Sequence, residues 1–243
     1  MMNQRHPFSL ANKRILVVGG SSGIGLAVAK LATELGGDVF IASRSPDKLE
    51  AARQLVARIG VEPLDATDPQ AVANLFSRHD PFDHVVVSAA EMAAAPLRGS
   101  TLESQRAAMD SKFWSAVHIA REARLNEGGS LTFVSGALSR RPAAGATLLG
   151  AINVALEGLA QGLALELAPI RVNCVSPGRI DTAWWDGLPS PQRKAMMERT
   201  AQALPVRRVG EADDVAVQII ACLTNTYMTG SVVFVDGGYS ISS

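Results

Sequence analysis

The chain has 243 residues, 47% of them hydrophobic, which is enough to bury a sizeable core and excludes a disordered chain. Lysine plus arginine and aspartate plus glutamate number 23 each, so the charge gives no sign of a nucleic-acid or membrane partner. The first residues lack the apolar run of a signal peptide, and no stretch approaches the length needed to span a bilayer.

The two cysteines, Cys174 and Cys222, lie far apart in apolar surroundings. Their spacing matches neither a metal-binding pair nor a redox pair, so we expect no metal site and buried free thiols. Together with the missing signal peptide, this cysteine usage predicts a cytoplasmic protein.

A strand, a glycine-rich turn and a helix begin the predicted fold. An apolar run from residue 14 to residue 18 leads into the turn at 19–25, and residues 26–32 have helical character. Glycines let the backbone turn sharply and approach a ligand, and a helix start presents unpaired N–H groups, so the unit can seat a diphosphate. The alternative is a tight turn that binds no ligand. The predicted dinucleotide contacts are Gly19, Ser21, Ser22, Gly23, Ile24 and Gly25.

Strand-like and helix-like segments alternate through the rest of the chain. Strands are predicted at residues 38–42, 61–64, 84–88, 131–135, 170–175 and 232–235. Helices are predicted at residues 46–58, from 69 onward, at 102–125 and at 146–167. This alternation predicts an α/β fold: one Rossmann-type, doubly wound parallel sheet of about seven strands, with helices on both faces, in a single domain over residues 1–243.

The region of about 178–205 is predicted to be long and irregular, and to act as a lid over a substrate. Trp184 and Trp185 favour this covering role, because two adjacent indoles on bare surface would be costly. The alternative is a surface loop that covers no substrate.

Several motifs in order resemble the short-chain dehydrogenase/reductase family over essentially the whole chain. The glycine turn is similar to that family's cofactor loop, residues 170–178 to its strand-to-lid signature, and residues 227–230 and 235–238 to its closing motifs. The resemblance implies a nicotinamide cofactor, with Asp65 holding the adenine amino group. Further cofactor contacts that it implies are Ala66, Ser88, Ala89, Ala90, Asn153, Pro177, Gly178, Ile180 and Thr182.

The end of the second predicted strand bears on the choice of cofactor. It carries no acid there, and Arg44 lies between Ser43 and Ser45. An acid at this position binds a free ribose 2′-hydroxyl, whereas a guanidinium can fork onto a 2′-phosphate. We therefore predict NADP(H), bound through Ser43 and Arg44, with NAD(H) possible. The alternative is that Arg44 is a solvated charge at the start of the next helix.

The active-site positions depart from the resemblance. The family transfers hydride between the nicotinamide and a carbonyl or alcohol, with a serine, a tyrosine, a lysine and an asparagine. Ser135 stands at the serine position, but Leu149 falls at the tyrosine position and Asn153 at the lysine position. Lys112 falls where asparagine is usual, so lysine and asparagine would have exchanged helices. We predict Ser135 and Lys112 as catalytic residues, with a surface lysine as the alternative.

An ammonium at the position of Lys112 could hold ribose hydroxyls, polarise a carbonyl oxygen or deliver a proton. Arg140 and Arg141 lie just beyond Ser135, and one of them could bind an acidic group of the substrate.

These residues predict an NADP(H)-dependent oxidoreductase that acts on a small carbonyl or alcohol with an atypical proton donor. Two alternatives stay open: an NADP(H)-binding sensor or partner subunit without redox turnover, and a non-redox enzyme that reuses the cleft. Because the family usually assembles through its two long helices, we expect a homodimer or homotetramer.

Overall fold

A computed structural model of the protein describes residues 7–89 and 95–242, apart from the side chain of Trp184. Its main sheet has seven parallel strands in the order β3-β2-β1-β4-β5-β6-β9. The strands of this sheet are β1 Arg14–Val18, β2 Asp38–Ser43, β3 Gly60–Pro63, β4 Phe82–Val87, β5 Leu125–Val134, β6 Arg171–Pro177 and β9 Val232–Val235. Two short strands, β7 Ile180–Asp181 and β8 Gly210–Glu211, pair with each other apart from it. The predicted α/β fold is confirmed.

Helices cover both faces of the sheet. They are α1 Gly23–Glu34, α2 Pro46–Leu55, α3 Pro69–Arg78, α4 Leu102–Met109, α5 Ser115–Glu122, α6 Thr147–Glu166, α7 Ser190–Ala203 and α8 Ala212–Thr224. One hydrophobic core joins the sheet to α1, α2 and α8, and a second joins its other face to α3, α5 and α6. Burial of apolar surface on both faces explains why the strand sequences are almost continuously hydrophobic.

The strand order reverses at β1, because the chain runs outward through β2 and β3 and then returns to place β4 on the other side of β1. The loops after β1 and β4 therefore diverge at the carboxyl edge of the sheet. A crevice at such a reversal is where open parallel sheets bind ligands.

The predicted helix over 102–125 ends three residues early, at Glu122, and contains a π-helical turn that was not predicted. The chain forms α4, a π-helical turn at Asp110–Trp114 and α5, and then enters the sheet at Leu125. The N–H of Phe82 donates to the carbonyl of Arg124 over 2.9 Å, so strand pairing outweighs the local helix preference. Gly129 lies inside β5 rather than ending a helix, and a Cβ there would stand 2.6 Å from the carbonyl oxygen of Asp83.

The predicted irregular region over 178–205 is also wrong, since it contains β7 and the 14 residues of α7. None of the residues in α7 is buried, so the helix has no apolar stripe that could reveal it. Helix α8 was not predicted. Its signals were present, because Asp213 and Asp214 occupy its first turn and Val215, Ile219 and Leu223 repeat every four residues on its buried face.

Helix α6 corrects the expectation that no segment reaches membrane-spanning length. Among the described residues it is the one helix that is long and apolar enough to cross a bilayer by length and composition. Ile152, Leu156 and Ala160 on its inner face are buried against the sheet. Packing in a protein core therefore accounts for part of its apolar character.

Candidate active site

A cleft of about 510 Å³ opens at the carboxyl edge of the sheet. Its lining comes from the turn after β1, from the ends of β2 to β6 and from the segment that follows β6. The predicted residues that line it are Gly19, Ser21, Ser22, Gly23, Ile24, Ser43, Arg44, Asp65, Ala66, Ser88, Ala89, Lys112, Ser135, Asn153, Pro177, Gly178, Ile180 and Thr182. Residues predicted from separate motifs thus come together in one cleft.

Two predicted contacts are not among the lining residues. Gly25 lies behind the glycine turn, where a Cβ would stand 2.2 Å from the carbonyl oxygen of Gly19. Its lack of a side chain lets α1 pack against the turn, so its role is structural support of the site. Ala90 lies outside the described residues.

The glycine turn touches the chain that leaves β4. Gly19 has a φ of +83°, and a Cβ there would lie 2.6 Å from the backbone nitrogen of Ala89. Ser22 precedes α1 in an extended conformation, and its side chain makes no capping hydrogen bond. The first N–H groups of α1 are therefore left for a ligand, which fits the diphosphate of a dinucleotide.

The end of the cleft beside β2 and β3 carries one negative and one positive side chain, Asp65 and Arg44. Ser21 Oγ donates to Ser43 Oγ over 3.0 Å and ties the glycine turn to the end of β2. Burial raises the pKa of Asp65, but hydrogen bonds from Thr67 and the charge of Arg44 outweigh it and hold that pKa below its ordinary value. An ionised carboxylate and a guanidinium thus lie near each other at this end of the cleft.

Lys112 is buried in the lining of the cleft, with 8% of its surface exposed. Its Nζ donates to the carbonyl oxygen of Ser135 and to Oδ1 of Asn153, each over 2.8 Å. Burial lowers the pKa of Lys112 to about 8, although the nearby Cys174 and Glu157 act in the opposite direction. Lys112 is therefore not a surface lysine, and its ammonium keeps a third N–H for a ligand.

The π-helical turn Asp110–Trp114 carries this lysine between α4 and α5. Ser115 Oγ donates back to the carbonyl oxygen of Ser111 over 2.8 Å, which occupies an acceptor in the widened turn. Such turns occur mostly as single insertions in α-helices and often at functional sites.

Ser135 follows β5 and shares its acceptor with two other hydroxyls. The Oγ atoms of Ser135, Ser139 and Ser176 donate to the same oxygen, Oε1 of Glu157, over 3.0, 2.6 and 3.2 Å. Because the hydrogen of Ser135 is directed to the carboxylate, its oxygen is left able to accept a hydrogen bond from a ligand.

Leu149 and Asn153 lie one helical turn apart on α6, and both line the cleft. The amide of Asn153 packs directly against Gly136, since a Cβ on that glycine would stand 2.8 Å from Nδ2 of Asn153. The apolar side chain of Leu149 can exclude water from the cleft but cannot transfer a proton.

Part of the lining was not predicted from the sequence. The unpredicted residues on it include Ser45, Lys48, Thr67, Leu138, Arg179 and Tyr239. Tyr239 follows Ser135 by more than a hundred positions, and no local motif connects the two. Only the tertiary fold brings its ring to the cleft.

Arg140 and Arg141 have partners other than the predicted acidic substrate group. Arg141 Nη1 donates to the carbonyl oxygen of Tyr239 over 2.9 Å and to Oγ of Ser242 over 2.6 Å. The guanidinium carbon of Arg140 lies 5.1 Å from the ring centre of Phe234. Arg141 therefore joins the loop after Ser135 to the carboxy-terminal turn.

The predicted aromatic cover is described for Trp185 alone, because the side chain of Trp184 lies outside the described atoms. Trp185 lines the cleft, and its Nε1 donates to the carbonyl oxygen of Ile180 over 2.8 Å. This bond holds the indole beside the strand-to-lid segment.

Both cysteines are buried and unpaired. Burial raises the pKa of the Cys174 thiol to about 12, although Ser135 and Lys112 nearby oppose the shift. Burial also raises the pKa of Cys222. Neither thiol is poised as a nucleophile.

Comparisons with known proteins found similar sequences over almost the whole chain. The family model described as "Enoyl-(Acyl carrier protein) reductase" matches residues 18–240. The "Short-chain dehydrogenase/reductase ATR9" of Stachybotrys chlorohalonatus is 32% identical over 248 residues, which span 95% of this chain and 98% of the relative.

Two solved structures are also similar. A small-chain dehydrogenase in complex with NADPH is 37% identical with a TM-score of 0.84, over 94% of this chain and 99% of the other. The "MalC Reductase/Diels-Alderase" of Malbranchea aurantiaca is 28% identical with a TM-score of 0.87, over 96% and 98% of the two chains.

Proposed function

The chain belongs to the short-chain dehydrogenase/reductase family, and we propose that it is an NADP(H)-dependent oxidoreductase that acts on a small carbonyl or alcohol. The observation that carries the proposal is the single cleft in which the glycine turn, Arg44, Lys112 and Ser135 meet. When bound there, a nicotinamide cofactor supplies or accepts the hydride.

The end of the cleft beside β2 supports the choice of NADP(H) over NAD(H). The free N–H groups at the start of α1 would hold the diphosphate that both cofactors have, and Ser43 and Arg44 would hold the 2′-phosphate that only NADP(H) has. The similar small-chain dehydrogenase was solved with NADPH, which favours the same cofactor here.

We assign the proton transfer to Lys112, since Leu149 occupies the position of the usual tyrosine. Ser135 and Asn153 orient the ammonium through its two hydrogen bonds, and its third N–H would donate to a ribose hydroxyl or to the substrate oxygen. A positioned general acid contributes about 10²–10⁴ in rate, so a chain with neither tyrosine nor lysine acid would be a poor catalyst.

Ser135 would orient the substrate by accepting a hydrogen bond. Its own hydrogen is directed to Glu157, so it suits a substrate hydroxyl or a protonated intermediate better than a bare carbonyl oxygen.

A second candidate function is a non-redox enzyme that uses the same cleft. One relative carries both a reductase and a Diels–Alderase name, so this fold accommodates bond formation as well as hydride transfer. Leu149 favours this alternative, because it removes a proton donor that hydride transfer to a carbonyl normally uses. An NADP(H)-binding protein without turnover is compatible with the same substitution.

We propose that residues 1–243 form one domain in which residues 178–205 cover the substrate. We also propose that the chain assembles as a homodimer or homotetramer through α4, α5 and α6. On α6, Val154 and Leu165 leave 52% and 83% of their surfaces exposed, an apolar area that a second copy would bury. Analytical ultracentrifugation of the wild-type chain tests this assembly.

Calorimetry and a turnover assay test the proposed function in turn. We expect NADPH to bind with a stoichiometry of one per chain and more tightly than NADH. NADPH oxidation in the presence of an aldehyde, lost in Ser135→Ala, would support the oxidoreductase. Stoichiometric binding without oxidation across a broad carbonyl panel would instead favour the non-redox enzyme or the sensor.

A further inference from the structure

The carboxy-terminal turn, residues 236–242, is fixed against the rest of the chain. Both carboxylate oxygens of Asp236 accept backbone hydrogen bonds, from Gly238 over 2.9 Å and from Ser240 over 2.8 Å. Gly238 has a φ of +87°, and a Cβ there would stand 2.5 Å from Cγ of Pro205. A Cβ on Gly178 would stand 2.7 Å from Cα of Asp236, so the turn also packs against the strand-to-lid segment.

Arg141 holds Tyr239 at the cleft. Its Nη1 donates to the backbone carbonyl oxygen of Tyr239 and to the hydroxyl of Ser242, and the guanidinium carbon lies 4.9 Å from the centre of the Tyr239 ring. Cation and ring attract each other in this geometry, which restricts the rotation of the ring. Tyr239 is thus an ordered part of the cleft wall rather than a loose tail.

Arg179 and Trp185 form a second cation–ring pair in the lining of the same cleft. The guanidinium carbon of Arg179 lies 5.1 Å from the centre of the Trp185 ring, and both residues line the cleft. No carboxylate among the described residues pairs with Arg179. Its hydrogen-bond donors are therefore available to an anionic ligand, since stacking on an indole occupies the face of the guanidinium and not its edge.

We infer that Tyr239, Trp185 and Arg179 form the substrate subsite of the cleft, and that this subsite takes an aromatic carbonyl compound bearing an acidic group. The inference rests on the proposed function for the location of the cofactor. Two aromatic rings favour a planar substrate, and a guanidinium that pairs with no carboxylate in the described part of the chain favours a carboxylate on it. Leu138 and Leu149 add apolar surface to the lining.

Calorimetric titration with benzaldehyde and 4-carboxybenzaldehyde tests the subsite. The two probes share a ring and an aldehyde and differ in one carboxylate. Titrated into the protein saturated with NADP⁺, where no hydride is available, 4-carboxybenzaldehyde should bind about tenfold more tightly than benzaldehyde. Arg179→Gln should abolish that preference. Tyr239→Ala should weaken the binding of both probes about tenfold. Tyr239→Phe should bind both with the wild-type affinity, because it keeps the ring.

Matched controls change an exposed tyrosine and an exposed arginine that lie outside the lining of the cleft. Tyr227→Ala and Arg53→Gln should leave both affinities unchanged, because Tyr227 is 99% exposed and Arg53 pairs with Glu50 on the surface of α2. Thermal melts verify that each variant is folded.

Equal affinity for the two probes in the wild-type chain would overturn the inference. So would a Tyr239→Ala variant that binds as the wild type does, or an Arg179→Gln variant that loses NADP⁺ instead of the carboxylate preference. Because the titration needs no turnover, a protein that binds the probes as expected but oxidises no NADPH would overturn the proposed reaction and retain the subsite.

Discussion

Lys112 Nζ donates to Oδ1 of Asn153 over 2.8 Å, which connects the π-helical turn to α6 across the lining of the cleft. The pair keeps an ammonium and an amide side by side, although each stands on the helix where the family resemblance places the other. The two groups need only share one polar cluster to position a cofactor ribose and a substrate oxygen. Exchanging these two residues between the helices therefore keeps an ammonium and an amide in the same polar cluster of the cleft.

Lys112→Met should weaken NADPH binding about tenfold, since it removes a charged hydrogen-bond donor from the cofactor cleft. Calorimetry measures the effect, with Lys30→Met on the exposed side of α1 as the control. If both variants bind NADPH as tightly as the wild type does, Lys112 does not contact the cofactor.

The rate of carbonyl reduction should fall at alkaline pH. Burial lowers the pKa of Lys112 to about 8, so the ammonium that donates the proton is depleted above that pH. We expect kcat/KM to be flat on the acid side of pH 8 and to fall about tenfold for each further pH unit. If Lys112→Met retains activity and shows the same alkaline limb, another group donates the proton.

Arg44→Gln should raise the Kd of NADPH by about 10- to 100-fold and leave that of NADH nearly unchanged, because only NADPH has a 2′-phosphate. Competitive displacement of a bound nicotinamide dinucleotide, followed by fluorescence, gives both constants. Arg53→Gln, which alters a surface ion pair, is the matched control. An equal loss of affinity for NADPH and NADH would show that Arg44 contacts a part of the dinucleotide that both cofactors have.

The fold should lose stability in acid through His84. This residue of β4 is 5% exposed, and its Nδ1 lies 2.9 Å from Oγ of Ser130. Burial, followed by the charge of Arg171, lowers its pKa to about 4 from an ordinary value of 6.5. Between these values the unfolded chain binds the proton more readily, so stability present above pH 6.5 is lost as the pH falls toward 4.

The loss between pH 7 and pH 4.5 should reach about 2 kcal/mol in the free energy of unfolding. Urea unfolding at pH 7 and pH 4.5 measures it. His84→Gln, which cannot titrate, should show a smaller difference between the two pH values. An identical difference in the variant would assign the acid sensitivity to other groups.

Local sequence was sufficient where local chemistry decides the structure. The strand, turn and helix around Gly19 were predictable because glycine spacing and apolar runs act over a few residues. The same holds for Asp68, whose carboxylate accepts from the N–H of Gln70 at the start of α3.

Sequence was insufficient where distant contacts decide. The entry into β5 at Leu125 depends on pairing with Phe82, and the place of Tyr239 at the cleft depends on Arg141. Neither relationship leaves a pattern in the local sequence. Helix α7 could not be predicted because it buries none of its residues, and such a helix needs no periodic apolar residues.

The burial of both native thiols also makes this chain convenient for fluorescence labelling. A maleimide dye reacts with exposed thiolates, and Cys174 and Cys222 present none at neutral pH. Lys194→Cys on the outer surface of α7, where the native side chain is 80% exposed, would thus be tagged selectively without first removing either cysteine. A dye at that site would report directly whether α7 moves when a dinucleotide enters.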